Sequence, residues 1–174
     1  MAAQLKIAIR PAQSEDWPAI VDINDSAFGG PAESALIAAL ERSGRATISL
    51  VAISESVPVG HIFFSPLRIH SSGPTIPAIA LAPMAVLPRC QRRGVGSRLV
   101  EAGLKACADQ AYQVVVVVGD PRFYRRFGFT PAGAAGLVSI YSEAGDAFMV
   151  TELTPGALEG RTGTVEYPSE FADV

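Results

Sequence analysis

Cysteine is nearly missing from this chain. Cys90 and Cys107 are the two cysteines in 174 residues, too few for the disulfide framework of a small secreted domain. Charge is thin as well: charged residues make up 18% of the chain against 49% apolar, and the net charge is −3. That balance excludes a disordered polyelectrolyte, which cannot bury enough apolar surface to offset its ordering entropy. It also excludes a global positive field for nucleic acid, so any basic site must be a local patch. Mean hydropathy is +0.29, yet no stretch approaches the roughly 20 apolar residues of a membrane helix. The valine run Val114–Val118 is only strand-sized. The segment Met1–Arg10 carries Lys6 and Arg10 and no long apolar core, so it does not read as a signal peptide. No G-x-x-x-x-G-K-S/T stretch occurs, which excludes a nucleoside-triphosphate loop of that type. What is left is a single cytoplasmic domain over residues 1–174, with no internal linker and no membrane or nucleic-acid partner.

The periodicities divide the chain into alternating element types. Leu5, Ile7 and Ile9 alternate with Lys6, Ala8 and Arg10, a half-buried strand that Pro11 ends. Ser14 is placed to cap a helix in which Trp17, Ile20, Val21 and Asn24 share a face. After Gly29-Gly30-Pro31, with Pro31 suited to a first helical position, Leu36, Ile37 and Leu40 mark a second helix closed by Gly44. Thr47–Ile53 and Val57–Leu67 are β-rich runs around a Ser54-Glu55-Ser56 turn, and Ser71-Ser72-Gly73-Pro74 is a loop. Pro77–Leu87 reads as a strand with a bulge or break at Pro83. Val95–Asp109 reads as a helix whose wet side holds Arg98, Glu101 and Lys105, with Glu101 spaced to pair with Lys105. Val114–Val118 has no polar alternation, so it is buried on both faces and calls for a parallel neighbour. Pro121–Arg126 is a short helix stopped by Gly128, and Phe148–Leu153 a late strand; the tail beyond residue 153 has no readable pattern. The order implies an α/β fold built on a mixed sheet.

One segment carries chemistry. Leu87–Ser97 reads L-P-R-C-Q-R-R-G-V-G-S, between an apolar strand and a helix. Arg89, Arg92 and Arg93 precede Gly94 and Gly96 at the helix start. Backbone N–H groups and the dipole make a helix N-terminus attractive to anions, glycine allows close approach, and arginine adds charged donors. Together they describe a diphosphate cradle; the plain alternative is a solvated basic loop. A dinucleotide site of the G-x-G-x-x-G type lacks its third glycine, since Leu99 stands there, although Asp120 lies at a tolerable distance downstream.

Gln91-Arg92-Arg93-Gly94-Val95-Gly96 resembles the Q/R-x-x-G-x-G/A signature of the GCN5-related N-acetyltransferases (GNAT). Met84-Ala85-Val86-Leu87-Pro88 is similar to that family's strand entering the loop, and Phe123-Tyr124-Arg125-Arg126-Phe127-Gly128-Phe129 to its f-Y-x-x-x-G-F element. Gly119-Asp120-Pro121 and His61-Ile62-Phe63-Phe64-Ser65-Pro66 resemble a YhbS-like branch. The resemblance spans Leu5 to Leu153 in element order and is sharpest over residues 83–129. It implies a mostly antiparallel mixed sheet with splayed central strands, flanked by helices on both faces.

It further implies acetyl-CoA as co-substrate and an amine acceptor attacking the acetyl carbonyl directly, with no metal and no Cys or Ser nucleophile. The backbone of Met84, Ala85 and Val86 would pair with the pantetheine arm. Gln91, Arg92, Arg93, Gly94, Val95, Gly96 and Ser97 would hold the pyrophosphate. The thioester would lie between the splayed strands Pro77–Leu87 and Val114–Val118. Tyr124 would protonate the departing thiolate; its plain alternative is packing beside Phe123 and Phe127. The general base is not identified. Residues 79–84 hold no carboxylate, which leaves Glu33, a histidine such as His61, or a water chain. The family's asparagine ahead of the tyrosine is also absent, with Asp120 near its place. An acyl-CoA-binding module without turnover and a small nucleotide-binding protein are the alternatives to an enzyme. Oligomeric state is not legible, a homodimer being one open assembly.

Overall fold

The computed structural model describes residues 4–174, so Met1–Ala3 of the leading segment lie outside the described residues. The chain divides into two compact units. The first comprises the described residues through Phe64 together with Pro83–Gly103 and Glu170–Val174; the second comprises Ser65–Ala82 and Leu104–Ser169.

In the first unit, strand β1 (Ala8–Pro11) begins later than the Leu5–Ile9 alternation suggests. It runs as far as its antiparallel partner β2 (Ile48–Ser54) provides bonds, from Ala8↔Ile53 to Pro11↔Leu50. A 3₁₀ turn at Ser14–Asp16 leads into α1 (Trp17–Phe28). The cap there is not Ser14. Asp16 Oδ2 accepts the Gln13 N–H at 2.7 Å, and Arg10 grips the same carboxylate with both terminal guanidinium nitrogens at 2.6 and 2.9 Å. Helix α2 (Ala32–Arg42) buries Leu36, Ile37 and Leu40 as expected, with Pro31 at its N-cap rather than inside it. Strand β3 (Val57–Ser71) pairs antiparallel with β2 through Phe64. Glu55 and Ser56 join them, both left-handed at φ 48° and 66°, the geometry a two-residue hairpin with the native twist demands.

Strand β4 (Ala78–Val86) passes through Pro83 without a break. Its ladder with the parallel strand β5 (Val114–Val118) ends at Leu81↔Val117. Pro83 lies beyond that end, so its missing N–H removes no bond from this ladder. Helix α3 (Val95–Asp109) spans the residues its period indicates. Its packing on β3 is tight: a Cβ on Gly60 would come within 2.9 Å of Leu99, and one on Gly103 within 2.6 Å of Phe64. Gly60, Ile62 and Phe64 therefore face α3, while His61 between them faces Asn24 of α1. Helices cover both faces of β3 here. Lys105 pairs with Asp109 at 2.8 Å rather than with Glu101.

The second unit is built around β5. Val114–Val117 are at most 2% exposed, between β4 and the antiparallel strand β8 (Phe148–Glu152). Ahead of β8 come the one-turn helix α4 (Pro121–Tyr124), β6 (Thr130–Pro131) and β7 (Leu137–Val138). Val114, Val116, Phe148, Val150, Ala78 and Ala80 share one core with Leu67, Ile69 and Leu158. The unpatterned tail holds a further strand, β9 (Gly163–Glu166), antiparallel to Arg68–Ser71 of β3. The ladders are thus mixed and mostly antiparallel, and the α/β reading holds.

Candidate functional site

The loop after β4 belongs to the first unit and is held from below. Leu87 N–H donates to Val59 O at 2.9 Å, and Pro88–Cys90 form a 3₁₀ turn. Ala85 O lies 3.3 Å from where a Gly60 Cβ would be. Strand backbone alternates sides, so Ala85 and Leu87 turn to β3 while Met84 and Val86 turn away from it. Of the residues expected to pair with a ligand through their backbone, Met84 and Val86 are thus oriented to do so, and Ala85 is committed to β3. Gln91 Nε2 donates to Val86 O at 3.0 Å and braces the loop against the strand end.

Arg92 and Gly94 are both left-handed, at φ 58° and 82°, with Arg93 between them not so. A non-glycine residue in that region costs about 1–2 kcal/mol, and such strain concentrates where a loop is shaped for a ligand. Left-handed residues in a short loop turn successive N–H groups towards one side, a concavity suited to anions. The α3 ladder begins with Arg98 N–H on Gly94 O at 3.1 Å, so the Val95 and Gly96 amides precede it and have no acceptor within the helix. Val95 anchors this turn, 1% exposed against Gly60. A Cβ on Gly94 would meet nothing within 4 Å, which leaves the outer side of the loop open to a phosphate. Arg92 is exposed and Arg93 half-buried on the same loop. These features fit a coenzyme diphosphate. A cavity of about 280 Å³ lined by Arg89, Cys90 and Arg93 together with Ser54, Val57 and Val59 is too small for a whole coenzyme, since ligand pockets start near ~300 Å³.

Tyr124 lies in the second unit. Gly119 leaves β5 with its N–H on Ala147 O at 3.0 Å. Asp120 caps α4, its Oδ1 accepting the Arg122 N–H at 2.9 Å, and Pro121 takes the first turn. Asp120 is therefore engaged as a cap and as the Arg122 ion-pair partner, and this hydrogen bonding holds its carboxyl below the usual range. The turn brings Tyr124 to 7% exposure, edge-on to Phe123 at 4.9 Å and to Phe129 at 5.5 Å. Its hydroxyl has no hydrogen-bond partner among the described residues. Burial raises the phenol's pKa above its ordinary value, so the group stays protonated through neutral pH, the form a proton donor requires.

The base candidates differ sharply. His61 is fully buried, and both ring nitrogens are engaged: Nδ1 lies 3.3 Å from Asn24 Nδ2, and Nε2 lies 2.9 Å from Ser49 Oγ. Asn24 Nδ2 also donates to Ile20 O at 2.9 Å, which fixes the amide orientation and makes Nδ1 the acceptor and Nε2–H the donor. No lone pair is left for an incoming ammonium, and burial pushes the imidazole down to about 4. Glu33 stands half-exposed in the first turn of α2. His70 is exposed and bonded to Glu166. Cys90 and Cys107 are free thiols; burial pushes Cys107 up to about 12, far from thiolate formation. Among the described residues no three His, Cys, Asp or Glu side chains gather as for a metal ion, and no helix is long and apolar enough to cross a membrane.

Comparison with known proteins agrees with this geometry. Residues 8–132 match the family model of the acetyltransferase (GNAT) domain. The uncharacterized N-acetyltransferase YhbS of Escherichia coli is 34% identical over 157 residues, covering 90% of this chain and 93% of that protein. The crystal structure of Escherichia coli YhbS in complex with CoA superposes with a TM-score of 0.90 at 32% identity, covering 99% of this chain and 95% of that one. A GNAT family acetyltransferase from Brucella melitensis in complex with acetyl-CoA gives a TM-score of 0.78 at 28% identity, covering 95% and 98%.

Proposed function

This chain belongs to the GNAT acetyltransferases, and from that membership we propose that it moves an acetyl group from acetyl-CoA directly to a primary amine. The observation that carries the reading is the loop itself: left-handed Arg92 and Gly94 opening α3, with open space outside Gly94. Arg92, Arg93, Gly94, Val95, Gly96 and Ser97 hold the diphosphate. Met84 and Val86 offer backbone groups to the pantetheine arm, and Gln91 keeps the loop in place for both. Acetyl-CoA supplies the acetyl group as a thioester, already activated for attack by a neutral amine. Tyr124 Oη donates the proton that the departing sulfur takes up. Glu33, or solvent, receives the proton that the amine nitrogen releases. We further propose that residues 1–174 form one GNAT domain acting in the cytoplasm, in keeping with two free cysteines.

A panel of primary amines with a thiol-release readout tests the assignment. CoA release with at least one amine is expected. Binding of CoA by calorimetry without release from any amine would favour an acyl-CoA-binding module, the reading suggested by a histidine with both nitrogens engaged and a β4 without a carboxylate. Tyr124→Phe tests the acid. Turnover should fall by about 10²–10⁴ with acetyl-CoA KM nearly unchanged, whereas a packing role predicts a nearly silent change.

A further inference from the structure

Gly119 has no backbone reason to be glycine. Its φ is not among the left-handed values that glycine adopts elsewhere in the chain. What occupies the place of its side chain is Tyr124. A Cβ on Gly119 would lie 2.3 Å from Tyr124 Cε2, 2.9 Å from Cδ2 and 3.4 Å from Cζ, and these ring atoms are its three nearest neighbours. Real Cβ atoms do not approach others so closely, and the backbone here has little freedom to give way. The Gly119 N–H is bonded to Ala147 O, and the Tyr124 N–H to Asp120 O at 3.1 Å. The Asp120 cap and Pro121 set the start of the turn that carries the ring back over residue 119. On its other sides the ring meets Phe123 and Phe129 edge-on.

We propose that Gly119 is a positioning residue for catalysis: by having no side chain, it lets the Tyr124 ring lie against the backbone at the end of β5, and so sets where the Tyr124 hydroxyl stands. The catalytic part of this rests on Tyr124 acting as the general acid; the placement of the ring does not. Any side chain at 119 has to push the ring away, and displacement of about 1 Å at a reacting group costs on the order of 10²-fold in rate.

Gly119→Ala, Tyr124→Phe and the double variant make the test, read by kcat, by KM for acetyl-CoA, and by ¹⁹F NMR of protein carrying 3-fluorotyrosine. The resonance lost in Tyr124→Phe identifies Tyr124. Gly119→Ala is expected to shift that resonance, because the ring moves relative to Phe123 and Phe129. It should lower kcat by about 10–10²-fold with KM within about twofold, and add nothing once Tyr124→Phe has removed the hydroxyl. An unmoved resonance, or an equal loss of kcat in both backgrounds, overturns the proposal. If Tyr124→Phe alone is silent, the general-acid reading fails and the catalytic role of Gly119 with it; the resonance then decides the ring placement alone. Should Gly119→Ala not fold, the proposal expects Gly119→Ala/Tyr124→Leu to fold, because the ring is what the added methyl strikes. A double variant that also fails to fold overturns it.

Discussion

Gly94 shows how one residue can be asked a single question. Its φ of 82° favours glycine, and the space beyond its missing Cβ is open. Gly94→Glu therefore creates no clash within the protein but places a side chain and a negative charge on the side assigned to the diphosphate. Calorimetric affinity for CoA should fall well over tenfold while the fold survives; unchanged affinity would move the site elsewhere. Arg93→Ala should cost less, about 1–2 kcal/mol for one charged hydrogen bond at a partly solvated site. His61 gives a residue-scale prediction on stability. Its imidazole titrates at about 4 in the fold because burial disfavours the cation, weakly opposed by Asp16, against about 6.5 when unfolded. Between those values the unfolded chain binds the additional proton. The contribution is complete above about pH 6.5 and is lost as pH falls towards 4, about 3 kcal/mol in all. Urea midpoints measured from pH 7 down to 4.5 should drop accordingly, and His61→Gln should flatten that slope. Asp16, held low chiefly by its hydrogen bonds from Arg10, acts only at lower pH, through the carboxylate range, so the two windows separate.

Among the elements, α3 meets β3 through two glycines, one on each. Gly103 is a poor helix former, and alanine there would gain about 1 kcal/mol by propensity alone. The added methyl, however, would sit 2.6 Å from Cζ and 2.7 Å from Cε2 of Phe64, a ring with no exposed surface and no room to yield. Overpacking costs about 1–3 kcal/mol, so Gly103→Ala should lower unfolding stability in urea, against the propensity scale. A rise in stability would mean that α3 can slide away from β3. The same element shows why spacing alone misplaced an ion pair. Glu101 and Lys105 are correctly spaced, but Lys105 has Asp109 one turn further on and bonds there. Both pairings are exposed and worth about 0.3–0.5 kcal/mol, so nothing in the pattern could rank them.

For the whole molecule, binding of CoA to the folded state alone must stabilise it by mass action, about 2.7 kcal/mol at a hundredfold excess over Kd. For a chain of this size that is a rise in Tm of about 5–10 °C. Thermal unfolding with and without CoA checks this, and Gly94→Glu should abolish the rise, its own ligand-free Tm standing about 2–8 °C lower because a side chain at a φ of 82° is strained. A rise that persists in Gly94→Glu would show that the coenzyme binds somewhere other than the loop.

Local signals determined much of this protein. The limits of α3 and β5, the burial of Val114–Val117 on both faces beside a parallel strand, and the short α4 were all legible, because periodicity and turn chemistry act within one element; Val118, past the end of the parallel ladder, is exposed against that expectation. The loop proposed to hold the diphosphate stood out for the same reason: its arginines and glycines are contiguous, so charge and turn chemistry appear together in eleven letters, Leu87–Ser97. Only the tertiary structure decided the rest. β1 starts where β2 can pair with it, and β9, with Val165 its one buried residue, exists because the end of β3 offers it bonds. Asp16 accepts the Gln13 N–H while Arg10, six residues away, holds its carboxylate. His61, readable as a base, is spent on Asn24 and Ser49. The requirement for glycine at 119 comes from a ring five residues on that only a folded turn brings back. Each of these depends on a partner whose approach is set by packing and hydrogen-bond satisfaction across the fold, and no local pattern in the chain encodes that distance.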